Sequence, residues 1–279
     1  MDGFLLVNKR VGDSSNYVVQ QAKKKLRANK VGHLGTLDPL ASGLLILAVN
    51  RATKFSSYFL ESEKFYQVEI ELGISTDTDD STGKIISKSN SKIEESEVKK
   101  ELYGFLGKSM QVAPFFSALK HKGKPLYKYA REGVFISKPA REISIKNIDS
   151  FKLKNKSCTF NIHCTKGTYI RSIARDLGAR LGCGAHMKGL IRTRQNNFNL
   201  CDAVRIEDLT KENIISIDKS FEMLEKIVIN LDDAKKFVNG VTIQNNNYID
   251  SLFRVFNKNH TFLGIGEIKN NDLKHKQLV

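Results

Sequence analysis

Asp38 is a carboxylate placed where a reactive group could be held, next to a proline in a glycine-rich turn. It lies in the stretch Val31 to Val49, VGHLGTLDPLASGLLILAV, where a polar turn with one histidine and one aspartate runs into an unbroken apolar segment. Pro39 fixes its own φ and keeps Asp38 out of the helical region. The run Leu44 to Val49 has the length and bulk of a buried strand. A carboxylate in a stiff loop that feeds a core is held on rigid support, as a reactive group must be. Asp before Pro is equally an ordinary turn signal, so the local pattern alone leaves both readings open. His33, in the same loop, is a second titratable candidate.

Three more candidates stand elsewhere. Lys64 to Leu72 alternates, with Tyr66, Val68, Ile70 and Leu72 facing one way and Gln67, Glu69 and Glu71 the other. Tyr66 therefore points to the buried side of a strand, where its hydroxyl needs a partner. Ser157 to Cys164 is a second alternating strand. After it, Lys166-Gly167-Thr168-Tyr169-Ile170-Arg171 opens a helix to about Leu181, with Ile170, Ile173, Ala174, Leu177 and Leu181 at helical spacing and Thr168 as candidate cap. Tyr169 and Arg171 thus fall at a strand-to-helix junction.

The remaining elements must position these groups. Gly3 to Val7 reads as a short strand, and a helix capped by Ser14 runs to about Arg27 with Val18, Ala22 and Leu26 inward. Its other face carries Lys23, Lys24, Lys25 and Arg27. Arg51 to Glu61 reads as helical, as does Glu94 to Leu106 with Val98, Leu102 and Phe105 inward. The loop GISTDTDDSTGK has the look of a calcium loop, but counting from Asp77 the glycine falls at position seven and Lys88 at position twelve, so the EF-hand pattern fails. A polar turn between two strands is expected. Gly184 to Phe198 is free of acids and carries Lys188, Arg192 and Arg194, with Met187, Leu190 and Ile191 as apolar anchors. Beyond Ile229 the chain turns Asn-rich, with a short helix over Asp232 to Val238 and strands at Leu252 to Phe256 and Phe262 to Ile268.

Composition narrows the partner. The chain has 279 residues, 41% of them hydrophobic, enough for one large domain plus a small one. Lys and Arg number 45 against 30 Asp and Glu, a net charge of +15 that favours an anionic partner, nucleic acid first. Residues Gln111 to Glu142 hold seven Lys/Arg against two Glu, interleaved with Phe115, Phe116, Tyr127 and Tyr129. Cations that hold phosphates beside aromatics that stack on unpaired bases suit RNA. The N-terminus lacks a signal-peptide pattern and the longest apolar run is too short to span a bilayer, so a soluble, cytoplasmic protein is expected. Cys158, Cys164, Cys183 and Cys201 form no CxxC pair, which argues against zinc and for reduced, mostly buried thiols.

In combination the motifs go further. GFLLVNK at Gly3, VGHLGTLDPLASGLL at Val31, ATKF at Ala52, KFYQVEIELG at Lys64, STDTDDSTG at Ser75, SALKHKGKPLYKYAREG at Ser117, CTKGTYIRSIARDLG at Cys164, LGCGAHMKGLIRT at Leu181 and FLGIGEI at Phe262 resemble the bacterial TruB family, the tRNA pseudouridine-55 synthases, in order and over nearly the whole chain. The resemblance implies an α+β pseudouridine synthase fold. Its central mixed, mainly antiparallel sheet is flanked by helices, and a small C-terminal β-rich, PUA-like module follows. It implies a catalytic domain over 1–228, with an RNA-contact insertion at 111–142, and an RNA-binding module over 229–279. It implies isomerisation of uridine-55 in the tRNA T loop through base flipping, with no cofactor, no metal and no protein partner, in a monomer. By position, Asp38 resembles the family nucleophile, Arg171 its ionic partner, and Tyr66 the tyrosine that stacks on the flipped base and assists deprotonation at C5. His33 resembles the histidine that fills the space left by the flipped nucleotides. Tyr169 and Leu190 match pocket positions, and Lys54 a basic residue near the RNA backbone. The chain departs from the family at Arg10, where Lys-Pro is usual, and at Ala113-Pro114, where Pro-Pro is usual. The alternative is a non-catalytic tRNA-binding or folding chaperone on the same scaffold; Asp38, Tyr66 and Arg171 together favour the enzyme.

Overall fold

In the computed structural model, which describes residues 1–244 and 248–279, strands β1 (Gly3–Lys9) and β3 (Ser42–Val49) form the deepest part of the molecule. Phe4 to Val7 and Leu44 to Val49 are apolar without interruption because both faces of these segments are covered. On one face, Leu5, Val7, Leu45, Leu47 and Val49 pack against helix α1 (Ser15–Leu26) through Val18, Ala22 and Leu26. On the other, Phe4, Leu6, Leu44 and Ile46 meet an aromatic group of Phe55, Phe59, Phe198 and Phe221. Phe59 stacks on Phe198 with ring centres 5.7 Å apart. Ser14 caps α1 as expected, its side chain accepting from the Tyr17 amide.

The main sheet has ten strands. Strand β2 (Val31–His33) pairs with β3, β4 (Lys64–Leu72) follows, and the small hairpin β5 (Ile74–Thr76) and β6 (Ile85–Lys88) stands apart. Strand β7 (Gly107–Gln111) forms one edge of the main sheet, and β8 (Lys120–His121) pairs with β9 (Lys124–Pro125) in the insertion. Then come β10 (Arg141–Lys154), β11 (Ser157–Cys164), β12 (Ala185–Gln195), β13 (Phe198–Asn199) and β14 (Ile215–Ser216). The spatial order is β14-β1-β3-β12-β4-β11-β10-β7. All neighbours run antiparallel except β3 and β12, whose register sets Arg192 against Gly43. That contact has no room for a side chain: Gly43 has φ +97, and a Cβ there would meet the Arg192 carbonyl oxygen at 2.4 Å.

Helices α3 (Glu95–Tyr103) and α5 (Ile170–Arg180) cover the far half of the sheet, with Val98, Leu102, Ile173 and Leu177 in the core. The short helices α2 (Ser56–Leu60) and α4 (Leu126–Arg131) lie in connections. Two expectations need correction. The stretch Arg51 to Glu61 starts as a 3₁₀ helix over Asn50–Phe55 and becomes α-helical only in α2. Thr168 does not cap α5; the capping position is Tyr169, and the Thr168 hydroxyl donates to Thr165 O. The acid-free stretch Gly184 to Phe198, to which the residue pattern assigns no element, supplies the long central strand β12. Register shifts between Met187 and Gly189 and between Arg192 and Arg194 break its alternation.

A second, five-stranded sheet follows, ordered β15-β17-β18-β19-β16: β15 (Lys226–Ile229), β16 (Ile243–Gln244), β17 (Ser251–Asn257), β18 (Phe262–Lys269) and β19 (Asp272–Leu278). Helix α6 (Leu231–Val238) packs on it through Ala234 and Phe237. The module docks on the large sheet by placing Ile265 in the aromatic core and by Arg254, whose Nε donates to Leu224 O at 3.0 Å. Among the described residues no helix is long and apolar enough to cross a membrane.

Candidate active site

Asp38 occupies the turn between β2 and β3, and its neighbours are clamped on both sides. The buried Ser15 hydroxyl donates to Leu37 O and accepts from Leu37 N, each at 2.8 Å. Gly12 N donates to Pro39 O at 2.8 Å. Lys9, 1% exposed, spends its ammonium on the carbonyls of Arg10 (2.8 Å), Asp13 (2.7 Å) and Pro39 (3.4 Å). Burial pushes the Lys9 amine down to about 8. The turn is thus fixed by main-chain contacts, leaving the Asp38 carboxylate free to work.

Arg171 meets that carboxylate from the first turn of α5. Its Nε lies 2.8 Å from Asp38 Oδ2, an ionic contact, and its Nη2 donates to Asp38 Oδ1 at 3.2 Å. Nη1 donates to Thr78 O at 3.2 Å and Nη2 also to Phe116 O at 2.9 Å. The planar fork therefore joins the Asp38 turn, the acidic loop and the insertion. Beneath it sits Asp80, 5% exposed, with Oδ2 3.8 Å from Arg171 Nε. Asp80 Oδ1 accepts from the hydroxyls of Thr78 (2.8 Å) and Thr82 (2.6 Å) and from Thr82 N (3.0 Å). The threonines of the TDTDDST loop thus turn an apparent cation loop into a self-bonded cradle for one carboxylate.

Asp79, beside it, is strained electrostatically. Burial pushes its carboxyl up to about 6 from an ordinary 3.8, although Arg175 Nη1 lies 3.3 Å from its Oδ2. A carboxyl whose folded value is raised favours the protonated native state. Ionised Asp79 therefore costs stability above about pH 6, and the cost fades as pH falls from 6 towards 3.8. Asp79→Asn should raise the melting temperature at pH 7.5, by about 2 kcal/mol of stability, and lose that advantage near pH 4. Asparagine adopts the local φ of +61 readily. A lower melting temperature for the variant at pH 7.5 would mean that the Arg175 pair outweighs burial.

Tyr66 stands directly across the β4–β12 ladder from Arg192. Burial pushes its phenol up to about 12, against the pull of the Arg192 charge. Arg192 is 1% exposed; its Nε donates to Leu44 O at 2.7 Å and its Nη2 to Gly35 O at 3.0 Å. One guanidinium thus ties the start of β3 to the turn before Asp38 and lies beside the tyrosine. Asp38, Tyr66, Tyr169, Arg171, Leu190 and Arg192 line one cavity of about 280 Å³. The Tyr169 backbone is held both ways by the Gln111 side-chain amide, at 2.8 and 3.1 Å.

Five of the seven sequence candidates therefore meet: Asp38, Tyr66, Arg171, Tyr169 and Leu190. His33 and Lys54 do not line this cavity. His33 is half-buried in β2, its Nδ1 without a partner among the described residues, and burial lowers its basicity. Lys54 is exposed on the 3₁₀ turn beyond the far end of β3. Sequence reading missed Asp80, whose loop gave only turn signals, and Arg192, which stood out only as one cation in an acid-free stretch. Among the described residues no three His, Cys, Asp or Glu side chains cluster as metal ligands. Burial pushes the Cys158 and Cys164 thiols up to about 12, so neither is a nucleophile at neutral pH.

Three family models together match residues 23–279: "TruB family pseudouridylate synthase (N terminal domain)" over residues 23–170, "tRNA pseudouridylate synthase B C-terminal domain" over 171–235, and "Pseudouridine synthase II TruB, C-terminal" over 226–279. The protein called tRNA pseudouridine synthase B in Clostridium kluyveri is 39% identical over 287 residues, covering 100% of this chain and 99% of its own. Its counterpart in Methylobacillus flagellatus is 40% identical over 275 residues, covering 96% of this chain and 91% of its own. Among solved structures, the Cbf5-Nop10-Gar1 complex contains a chain of the same fold, with a TM-score of 0.74 at 22% identity over 99% of this chain and 84% of that one. A fold shared at that distance, full-length relatives at close to two-fifths identity, and a cavity built around an arginine-held aspartate lead to one assignment: the chain belongs to the TruB family of pseudouridylate synthases.

Proposed function

We propose that the chain isomerises uridine-55 in the T loop of tRNA to pseudouridine. The observation that carries the reading is the Asp38–Arg171 ion pair in a cavity faced by Tyr66. Asp38 acts as the nucleophile that frees the uracil from its ribose, a covalent role that requires an ionised carboxylate. Arg171 keeps it ionised and oriented. Tyr66 stacks on the base and assists removal of the C5 proton before the base rejoins through C5. Tyr169 and Leu190 shape the pocket. The target base must be extruded, because C1′ and C5 are out of reach in the folded loop. His33 fills the space that the flipped nucleotides leave, and Lys54 contacts the RNA backbone. The catalytic domain, expected over 1–228, and the RNA-binding module, expected over 229–279, meet within β15 (Lys226–Ile229), which pairs with the module's sheet, in a cytoplasmic monomer that needs no protein partner.

The test is release of tritium from tRNA labelled at uridine C5, without added metal or nucleotide. Turnover with pseudouridine at position 55 is the expected result; binding without turnover would favour the chaperone alternative. Because the net charge is +15, tRNA affinity should fall steeply with salt, by about 10³-fold or more between 50 and 200 mM. A flat salt response in a filter-binding titration would undo the argument from charge.

A further inference from the structure

The cavity that holds Asp38 carries more positive charge than uridine chemistry uses. Its walls bring the cations Lys64, Arg141, Arg171 and Arg192 against one carboxylate, Asp38. Uracil and ribose are neutral, so the excess needs another explanation. Three of these cations are already committed. Arg171 is bound to Asp38 and to two carbonyls. Arg192 is buried and tied to Leu44 O and Gly35 O. Lys64 is 7% exposed and donates to Leu60 O at 2.8 Å and to Ser62 O.

Arg141 differs. It opens β10 at the end of the insertion and is only half-buried. Its Nη2 donates to Gly167 O, and its guanidinium carbon sits 4.8 Å from the centre of the Tyr169 ring. Gly167 has φ +80, and a Cβ there would come within 3.2 Å of that carbon, so the absence of a side chain lets the guanidinium approach the loop closely. Its Nε has no acceptor among the described residues, and the adjacent Glu142 is held by Lys108 at 3.1 Å. A guanidinium held in place by a carbonyl and a ring, with donors unspent and no carboxylate, is preorganised for an anion.

The anions that accompany an extruded nucleotide are its own phosphates, which the flip carries towards the wall of the pocket. We propose that Arg141 binds a backbone phosphate flanking the target uridine and, through its stack on Tyr169, couples that grip to the ring that lines the base pocket. This inference rests on the uridine-isomerase reading above and adds the phosphate site to it.

The test pairs protein and RNA changes. T-arm hairpins are made with a methylphosphonate in place of one flanking phosphate at a time, with a 2′-O-methyl group on the nucleotide preceding that linkage. The reference hairpin carries the same methyl group and a normal phosphate. Arg141→Gln and Arg141→Lys are assayed beside the unsubstituted protein, for both dissociation constant and kcat/KM. At one of the two linkages the methylphosphonate should cost the unsubstituted protein about thirtyfold in kcat/KM. Arg141→Gln should lose a similar factor on the normal hairpin and show no further loss on the modified one. Arg141→Lys, which keeps a point charge, should retain part of the phosphate dependence, and it serves as the readout if the glutamine variant does not fold. Independent, multiplying losses at both linkages would overturn the proposal, because a structural role for Arg141 would leave the phosphate penalty intact. If the unsubstituted protein binds the hairpin without turnover, the isomerase reading fails; the dissociation constants still decide whether Arg141 touches phosphate.

Discussion

Asp38→Asn should abolish tritium release and leave the protein folded and bound to tRNA. The substitution keeps the shape of the side chain and removes its charge and nucleophilic oxygen. The turn that carries it is held by Ser15, Lys9 and Gly12, none of which contacts the carboxylate, so the local fold should survive. Nor is Arg171 orphaned, since Asp80 remains 3.8 Å from its Nε with carbonyls of Thr78 and Phe116 at its other nitrogens. Loss of a covalent nucleophile typically costs about 10⁴-fold or more in kcat. Binding should stay within about tenfold, or 1.4 kcal/mol, because most RNA affinity comes from backbone contacts elsewhere. Single-turnover assays with parallel filter binding measure both. Turnover above about a hundredth of the normal rate would remove Asp38 from the nucleophile's role, and a loss of binding equal to the loss of rate would make it a docking residue instead.

Arg171→Lys should lower both activity and stability, although it preserves charge. The guanidinium serves four acceptors in three segments at once: Asp38, Asp80, Thr78 O and Phe116 O. An ammonium on a shorter donor set cannot span them. If the lysine turns to Asp38, the buried Asp80 carboxylate keeps only its threonine donors; if it turns to Asp80, Asp38 loses its orientation. Removing one partner of a buried pair costs about 3–5 kcal/mol, and a lysine that keeps one contact should cost about half of that. A kcat loss of about a hundredfold is expected from the misplaced nucleophile. Thermal melts and single-turnover rates on one preparation read the two effects. An unchanged rate would show that the ion pair is structural only.

Much of the scaffold was legible because it follows local periodicity. The alternation of Lys64 to Leu72 aimed Tyr66 at the interior, and the alternation of Ser157 to Cys164 marked its neighbour in the sheet. Helical spacing found α1 and α5, and the unbroken run Leu44 to Val49 marked a strand covered on both faces. β12 was hidden because two register shifts break its alternation, and Thr168 was read as a cap because cap chemistry depends on backbone angles that residue type does not fix.

For the reactive turn itself, the sequence determined that Asp38 sits in a stiff loop that feeds a buried strand, and by resemblance that Arg171 and Tyr66 belong with it. Tertiary structure decided the rest. Arg171 is 133 residues from Asp38, and only the packing of α5 behind the sheet brings its Nε to 2.8 Å. Asp80 became a partner because the threonine-bonded loop is pinned to β12 by Ser81 N to Met187 O at 3.0 Å. Arg192 meets Tyr66 because β12 lies between β3 and β4. Side-chain pattern encodes which face of an element is buried, whereas strand order and register are set by pairing between distant segments, so the aspartate was visible in the chain and its surroundings only in the fold.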